Sequence, residues 1–155
     1  MKIVFVCLGN ICRSPMAEAV FRQWLEAAQL TGVTVDSAGT GNWHEGSEPH
    51  EGTLHLLEQE GIDASGMEAR ILSQKDFQSD YLIAMDAETA GTLHSLKGSG
   101  TGGAAVFRLL DFADSEEEDV PDPYFTGDFE ETYKLILQGC SGLFHELFPD
   151  ASERV

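Results

Sequence analysis

The sequence predicts an α/β protein with a parallel sheet, built as a single domain over residues 1–155. Short runs rich in β-branched and aromatic residues alternate along the chain with segments of helical periodicity. The runs are continuously apolar, as in strands buried on both faces of a parallel sheet. Neither an internal repeat nor a linker divides the chain. Its 155 residues, of which 42% are hydrophobic, are enough to fill one core.

The first half of the chain predicts two strands and two helices. Residues 3–6 form the first strand, and a helix begins at Ser14-Pro15, with Ser14 as N-cap and proline in the first turn. The apolar face of this helix consists of Ala17, Val20, Phe21, Trp24, Leu25 and Ala28. Residues 33–37 form a second strand, 38–48 a Gly-rich loop, and 52–60 a helix that ends at Gly61.

The second half predicts two more strands. Residues 81–85 form the third strand, a short helix runs to about Lys97, and the Gly-rich stretch 98–103 is a flexible loop. Residues 104–109 form the fourth strand, and an acidic loop containing prolines follows as far as residue 127. The last helix spans residues 128–148, with a capping box of Asp128 and Glu131. Its expected apolar face is Phe129, Tyr133, Ile136, Leu137, Cys140, Phe144 and Leu147.

This order of elements locates a ligand site. Parallel strands joined by helical crossovers place their carboxyl ends at one edge of the sheet, and ligands bind there where the strand order reverses. The loop after the first strand begins at Cys7, and the loop after the fourth strand contains Asp122. We therefore expect these two loops to form one site.

The charge excludes some functions. Nine Lys and Arg residues against 27 Asp and Glu give a net charge of −18, which repels nucleic acid and anionic membranes. Three cysteines without regular spacing suit a reducing compartment, and no apolar run approaches membrane-spanning length. The expected location is the cytoplasm. The five histidines lack metal-ligand spacing, so neither a metal nor another cofactor is expected.

The segment Cys7-Leu8-Gly9-Asn10-Ile11-Cys12-Arg13-Ser14 has the features of an anion-binding loop. It lies between a buried strand and a helix start, where successive backbone N–H groups form a nest and the helix dipole attracts negative charge. Gly9 and Asn10 tolerate the left-handed backbone that such a loop requires. Residues 8–14 are the expected phosphate-binding residues: Leu8, Gly9, Asn10, Ile11, Cys12, Arg13 and Ser14.

Cys7 and Arg13 are the candidate nucleophile and phosphate clamp. The loop N–H groups, the helix terminus and Arg13 favour the thiolate form of Cys7, to which the Ser14 hydroxyl can donate a hydrogen bond. The Arg13 guanidinium can make a planar two-pronged contact with phosphoryl oxygens. A buried Cys beside an ordinary helix-start Arg is the alternative, and the Gly, Asn and Ser-Pro context argues against it.

The stretch from Val6 to Pro15 resembles the signature of the low-molecular-weight protein-tyrosine phosphatases. The resemblance extends along nearly the whole chain, through Asp36-Ser37-Ala38-Gly39-Thr40, Ala69-Arg70, Met85-Asp86 and Asp122-Pro123-Tyr124. It implies a four-stranded parallel sheet with helices on both faces. It also implies hydrolysis of phosphotyrosine through a phosphocysteine intermediate, without a metal. The implied partners are phosphotyrosine-containing proteins, a tyrosine kinase, and inorganic phosphate or a similar oxyanion in the site.

The resemblance also assigns roles outside the phosphate loop. Asp122, between two prolines, is the expected general acid. An acid is needed because the phenol formed has a pKa of about 10, so that phenoxide leaves poorly near neutral pH. The less favoured acids are Asp119 and Asp128. Trp43 and Tyr124 are candidate aromatic substrate walls, with a plain loop anchor as the alternative for Trp43. Asn10, Ser14 and Ser37 match residues that brace the family's phosphate loop.

Two departures from the family pattern concern loop support. Met67 stands where the family has a His, so one partner of the bracing network is expected to be missing. Glu51-Gly52-Thr53 stands where many members have Asp-Pro-Arg. Neither departure involves the expected nucleophile, clamp or acid.

Other functions remain open on the same residues. An arsenate reductase would need a cysteine relay, for which Cys140 is poorly placed on an apolar helix face. Phosphoarginine phosphatases among related sequences tend to have Thr where this chain has Ile11. A phosphopeptide-binding module would not need both Cys7 and Asp122. Cys12 is the candidate partner of Cys7 in a protective disulfide, with simple packing under the loop as the alternative.

Overall fold

The structure is a computed structural model that describes residues 1–98 and 102–151. Its strands are β1 (Lys2–Cys7), β2 (Thr34–Gly39), β3 (Tyr81–Ala84) and β4 (Ala105–Arg108). Its α-helices are α1 (Arg13–Ala27), α2 (Glu51–Gln59), α3 (Ala87–Lys97), α4 (Pro123–Thr126) and α5 (Phe129–Leu147). Short 3₁₀ segments cover Gln74–Gln78 and Leu109–Phe112.

The four strands form one parallel sheet in the order β2-β1-β3-β4, which confirms the predicted architecture. β1 lies between β2 and β3, so that Val4 pairs with Asp36 on one side and with Leu82 on the other. After β1 the chain forms β2 on one side of β1, and it later forms β3 on the other side. The strand order therefore reverses beside the carboxyl end of β1, where Cys7 lies.

Both faces of the sheet are covered. Ile3 and Phe5 of β1 belong to a core cluster that includes residues of α1, α2 and α5. Val4 and Val6, which alternate with them, pack on the opposite face with Leu93 of α3. All four of these β1 side chains are fully buried, as expected for a central parallel strand. This double packing holds the end of β1 in place and with it the start of the phosphate loop.

The helix ends follow local chemistry, with one correction. Gly61 and Gly98 adopt positive φ angles of 70° and 56° just after α2 and α3, and Asp128 accepts a hydrogen bond from the Glu131 N–H at the start of α5. The predicted N-cap role of Ser14 is wrong. α1 begins at Arg13 after Cys12, and no side chain caps it. The Ser14 hydroxyl lies inside the helix and points back into the phosphate loop.

Several predicted boundaries shift. β2 continues to Gly39 because it pairs with β1 as far as Cys7, so the following loop begins later than predicted. The predicted loop of residues 110–127 contains the end of a 3₁₀ segment and the short helix α4, which Asp122 caps. Residues 99–101 of the predicted flexible loop lie outside the described residues.

The buried face of α5 is also corrected. Leu135 and Leu143, which were not assigned to the apolar face, are buried beside Ile136, Cys140 and Phe144. Of the predicted face, four residues are only partly buried at its margin: Phe129, Tyr133, Leu137 and Leu147. The buried stripe faces α1 and the 3₁₀ segment at Leu109–Phe112, because α5 packs against both.

Candidate active site

The phosphate loop curls from the end of β1 to the start of α1 around the Cys7 sulfur. Cys7 is 2% exposed, and the Asn10 N–H donates to its Sγ over 3.3 Å. Asn10 has a left-handed φ of 57°, as predicted for this loop. Gly9 does not have a positive φ, so its predicted role is corrected. A Cβ at Gly9 would lie 3.1 Å from the His44 ring, and glycine permits that close approach.

A chain of buried hydrogen bonds braces the loop and orients the Ser14 hydroxyl. The Asn10 Nδ2 donates to Ser14 Oγ over 2.8 Å and to Ser37 Oγ over 3.0 Å. Ser37 Oγ in turn donates to the Glu18 carboxylate over 2.7 Å. Because Ser14 Oγ already accepts from Asn10, its own proton is available to the Cys7 Sγ at 2.9 Å. The arrangement suits a sulfur that carries negative charge.

Although Met67 cannot join the bracing network, both polar atoms of the Asn10 side chain have hydrogen-bond partners. Asn10 Oδ1 accepts a hydrogen bond of 2.9 Å from the Arg70 backbone N–H. Met67 packs against the core instead. The side-chain oxygen of Asn10 is thus satisfied by a main-chain donor, without a contribution from Met67. Glu18 lies at the far end of the network, and burial raises the pKa of its carboxyl. The hydrogen bond from Ser37 and the charge of Arg22 lower this pKa, but burial outweighs them.

Arg13 is held by contacts from two other loops. Its Nη1 donates to Asp86 Oδ2 over 2.6 Å and to the Val120 carbonyl over 3.0 Å, and its Nη2 lies 3.4 Å from Asp122 Oδ2. Burial disfavours the charge on Arg13, but the negative charge at Cys7 and the bond to Asp86 outweigh it and raise the pKa of the guanidinium. The buried Nε has no hydrogen-bond partner among the described residues. Of its five N–H groups, the one on Nε and one of the two on Nη2 therefore remain for a substrate.

Main-chain contacts anchor the loop that carries Asp122. The Val120 N–H donates to the Met85 carbonyl over 2.9 Å, and the Pro121 carbonyl accepts from Thr132 Oγ1 of α5 over 3.1 Å. Asp122 Oδ1 accepts the Tyr124 N–H over 3.1 Å and so caps α4. Its other carboxylate oxygen faces Arg13. The loop is therefore fixed from both sides, in addition to the stiffening by proline that the sequence predicts.

One pocket of about 330 Å³ brings most of the predicted site residues together. Its lining includes Cys7, Leu8, Gly9, Ile11, Cys12, Arg13, Trp43, His44, Asp122, Tyr124 and Phe125. Trp43 is 68% exposed and Tyr124 54% exposed, so both present aromatic surface at the mouth. Asn10, Ser14 and Ser37 lie behind the loop as supports. Within residues 1–98 and 102–151, no group of His, Cys, Asp or Glu side chains is placed to hold a metal ion.

The alternative acids lie elsewhere. Asp119 accepts the Ala87 N–H over 2.8 Å near the start of α3, and Asp128 caps α5. Neither is among the residues that line the pocket. Asp122 is the one of the three candidates whose carboxylate reaches the Arg13 side chain in the described structure.

The three cysteines differ in environment, and all are free. Cys12 lines the pocket, and burial, followed by the charges of Asp122 and Cys7, raises its pKa to about 12. Cys140 is fully buried in the main core, where burial raises its pKa. Its position, remote from the pocket lining, argues against the cysteine relay that an arsenate reductase would need.

The sequence interpretation missed three residues of the site. Asp86 makes the shortest contact to Arg13, and Phe125 and His44 line the pocket. Asp86 directly follows the third strand, so its place at the same sheet edge was a usable signal. Phe125 directly follows Asp122-Pro123-Tyr124, and this position beside the expected acid was a second usable signal in the sequence. In the structure Phe125 is 75% exposed.

Comparisons with known proteins agree with this geometry. The family model described as low molecular weight phosphotyrosine protein phosphatase matches residues 2–153. The low molecular weight protein-tyrosine-phosphatase YfkJ of Bacillus subtilis is 52% identical over 146 residues, which cover 92% of this chain and 93% of that protein. The crystal structure of YfkJ superposes with a TM-score of 0.89 at 49% identity, covering 97% of this chain and 96% of the other.

A second structural relative has a different stated activity. The crystal structure of a drosophila arginine phosphatase superposes with a TM-score of 0.90 at 32% identity, covering 97% of this chain and 99% of that chain. The fold is thus shared by enzymes named for two phosphorylated side chains. The family match nevertheless extends over almost every residue of this chain, from β1 to the end of α5. The chain belongs to the low molecular weight phosphotyrosine protein phosphatase family.

Proposed function

We propose that this chain hydrolyses phosphotyrosine in proteins, and aryl phosphate monoesters in general, through a phosphocysteine formed on Cys7. Its family makes it a cysteine-dependent protein-tyrosine phosphatase. The observation that carries the proposed mechanism is the convergence of Cys7, Arg13 and Asp122 on one pocket. A nucleophile, an oxyanion clamp and a proton donor are the three groups that this reaction needs.

In the first half-reaction, the Cys7 thiolate attacks phosphorus and the bond from phosphorus to the phenolic oxygen breaks. The free Arg13 donors and the loop N–H groups stabilise the charge on the phosphoryl oxygens. Asp122, in its protonated form, gives its proton to the departing phenolic oxygen, so that phenol leaves rather than phenoxide. The product of this step is S-phosphocysteine at Cys7.

In the second half-reaction, water attacks the phosphorus of the phosphocysteine. The Asp122 carboxylate takes a proton from that water, and the Cys7 thiolate leaves. Inorganic phosphate is released, and Asp122 is protonated again for the next cycle. The Ser14 hydroxyl, 2.9 Å from the sulfur, supports the leaving thiolate with a hydrogen bond.

The aromatic mouth supports the preference for an aryl substrate. Trp43 and Tyr124 line the pocket from two different loops, and we propose that both contact the phenyl ring of the substrate. A shorter phosphoserine side chain would not fill this space. The family implies phosphoprotein substrates and phosphate in the active site. A tyrosine kinase that produces these substrates is a further proposed partner.

We also propose the cytoplasm as the location and residues 1–155 as one catalytic domain. Three free cysteines fit a reducing compartment. In the part of the chain that the structure describes, no helix is both long and apolar enough to span a membrane. The net charge of −18 argues against nucleic acid as a partner.

Phosphoarginine is the second candidate substrate, because a structural relative is named an arginine phosphatase. Ile11 contributes an apolar side chain to the pocket floor. Such a floor favours an aromatic leaving group over a guanidinium, whose N–H donors would lose their hydrogen bonds to water there. Phosphotyrosine is therefore the better supported substrate.

Cys12 has a proposed protective role. A peroxide would oxidise the Cys7 thiolate to a sulfenic acid, and Cys12 would then displace water from that sulfur to form a disulfide. Two observations support the necessary proximity. Both cysteines line the same pocket, and the charge of Cys7 contributes to the raised pKa of Cys12. The raised pKa of Cys12 disfavours its thiolate, the form that peroxide oxidises, so Cys12 is itself a poor first target.

Turnover of para-nitrophenyl phosphate by the purified chain tests the proposed function. Cys7→Ser should abolish turnover while retaining the fold and phosphate affinity, since a serine hydroxyl does not ionise at neutral pH. Retention of most activity by this variant would exclude the covalent mechanism. Comparing kcat/KM for a phosphotyrosine peptide and a phosphoarginine peptide of otherwise identical sequence then decides between the two substrates.

A further inference from the structure

His50 joins several segments around the active site that are distant in sequence. Its backbone N–H donates to the Ile11 carbonyl of the phosphate loop over 2.7 Å. Its Nδ1 accepts the Gly52 N–H over 3.0 Å and so caps α2. Its ring stacks on Phe129 at a centroid distance of 5.1 Å and meets Tyr124 edge-on at 6.1 Å. The half-buried ring thus lies between the base of the site and its mouth.

Phe129 connects this ring to the underside of the phosphate loop. It packs against a cluster formed by Ile11, Cys12 and Ala69. It also lies against Gly52, where an added Cβ would come within 2.5 Å of the ring. The absence of a side chain at Gly52 therefore makes room for Phe129, which accounts for glycine at one of the positions where the sequence departs from the family pattern.

Three rings of the site flank Tyr124, those of His44, His50 and Phe125. The His44 ring lies 5.9 Å from it at an interplanar angle of 55°, and the His50 ring supports it from the side of Phe129. Tyr124 is 54% exposed, and Phe125, which meets it edge-on at 5.3 Å, is its neighbour in the chain and is itself 75% exposed. Among the ring contacts of the described residues, those with His44 and His50 are therefore the ones that join Tyr124 to other segments. The Tyr124 backbone N–H donates to the Asp122 carboxylate. A shift of the Tyr124 ring would therefore alter the wall of the pocket, whereas the backbone bond to Asp122 does not depend on the ring.

We propose that His50 is a positioning residue whose ring sets the distance between the Tyr124 wall and the phosphate loop. The inference rests on the proposed function, because it assigns Tyr124 to contact with the aryl group of the substrate. His50 does not touch the reacting atoms. It acts through Tyr124 and Phe129, so its removal weakens binding of the aromatic ring and leaves binding of the phosphoryl group unchanged.

Two ligands separate these effects without requiring turnover. Phenylphosphonate is a non-hydrolysable probe that contacts both the loop and the aromatic wall, whereas inorganic phosphate contacts the loop alone. Calorimetric titration with each ligand measures the two dissociation constants. In parallel, KM and kcat for para-nitrophenyl phosphate show whether the loss affects binding alone. If the parent chain binds both probes but does not hydrolyse para-nitrophenyl phosphate, the proposed function fails. The binding measurements still test the inference about His50 in that case.

Two substitutions distinguish the role of His50 as the cap of α2 from the role of its ring. His50→Asn keeps an acceptor for the Gly52 N–H but removes the ring, and His50→Phe keeps a ring but removes the acceptor. Both retain the backbone bond to Ile11. His55→Asn, on the exposed face of α2, is the matched control.

We expect His50→Asn to weaken phenylphosphonate binding by about three- to tenfold, the range for the loss of one aromatic contact. Phosphate binding should stay within about twofold of the parent, and KM should rise while kcat is unchanged. His50→Phe and His55→Asn should both resemble the parent in phenylphosphonate affinity. Equal losses for the two ligands in His50→Asn would show that His50 only supports the loop. A loss in His50→Phe as large as in His50→Asn would overturn the role of the ring.

Discussion

Asp86→Asn tests whether Arg13 depends on a carboxylate from the loop after β3. Asp86 Oδ2 accepts from Arg13 Nη1 over 2.6 Å, and Oδ1 accepts the Thr89 N–H over 2.7 Å. Asparagine has nearly the same shape and one oxygen acceptor for Arg13, but its amide nitrogen cannot accept from the Thr89 N–H. The substitution therefore removes the negative charge, while the Val120 carbonyl still holds the guanidinium at 3.0 Å.

The magnitude follows from the type of hydrogen bond that is lost. A bond to a charged group contributes about 1.5–3 kcal/mol and a neutral one about 0.5–1.5 kcal/mol, so the difference is about 1–1.5 kcal/mol. The side chain of Asp86 is only 19% exposed, which limits solvent screening. Since about 1.36 kcal/mol corresponds to a tenfold rate change, kcat/KM for para-nitrophenyl phosphate should fall by about five- to twelvefold.

The same substitution predicts a pH dependence of stability. Burial disfavours ionised Asp86, but hydrogen bonds from Arg13 and Thr89 outweigh it and hold the pKa of the carboxyl below its ordinary value of 3.8. A lowered folded-state pKa contributes stability above the unfolded pKa, and this contribution is lost as the pH falls through the folded pKa. The difference in free energy of unfolding between parent and variant should be constant from about pH 8 to pH 5. It should shrink below 3.8.

Urea unfolding at a series of pH values measures this difference, and steady-state kinetics measures the loss of activity. Asp111→Asn is the control, because Asp111 also pairs with an arginine, Arg108, but lies away from the pocket. It should leave kcat/KM within about twofold of the parent. If Asp86→Asn matched the parent in both activity and pH dependence, Arg13 would be held by the main chain alone, and the assigned role of Asp86 would be wrong.

Three further predictions concern the proposed chemistry. Arg13→Lys should lower kcat/KM by on the order of 10²-fold, because a point charge cannot replace the planar fork; a loss below about threefold would exclude bidentate clamping. Asp122→Asn should lower kcat by on the order of 10²–10⁴-fold for phenyl phosphates and much less for esters of acidic phenols. An equal loss across the leaving-group series would instead indicate a structural role. Mild peroxide should produce a Cys7-Cys12 disulfide, seen by mass spectrometry as the loss of two hydrogens and reversed by dithiothreitol. Cys12→Ser should recover poorly, and full recovery would contradict the protective role.

The parts of the site that could be predicted from the sequence are those that lie close together along the chain. Cys7, Asn10, Arg13 and Ser14 fall within one strand-to-helix turn, where spacing alone implies an anion-binding loop. The strands were equally predictable, because continuous apolar runs suit a sheet covered on both faces. Asp122 required the family resemblance, since an acidic loop offers many carboxylates and no periodicity distinguishes one from another.

The supports of the site could not be predicted because they are tertiary contacts. Arg13 and Asp86 are separated by 73 residues, and Asn10 and the Arg70 N–H by 60. The Arg70 contact is made by a backbone N–H, which every residue except proline has, so the residue type does not predict it. His50 combines a cap, a loop bond and two ring contacts, yet its sequence context shows only a polar residue before a helix. Such roles depend on which loops the fold brings together.

The charge of the protein also bears on how the site holds a phosphate. Arg13 is the one Lys or Arg among the described residues that line the pocket, and Asp86 and Asp122 both face it. The site therefore has little net positive charge, within a chain of net charge −18. Loop N–H dipoles act at contact distance, whereas the charge of the remaining surface acts from afar and is screened beyond about 10 Å at 0.1 M salt. Short-range donors can thus bind a dianion that the protein as a whole repels, and the repulsion slows the approach of the substrate more than it weakens its binding.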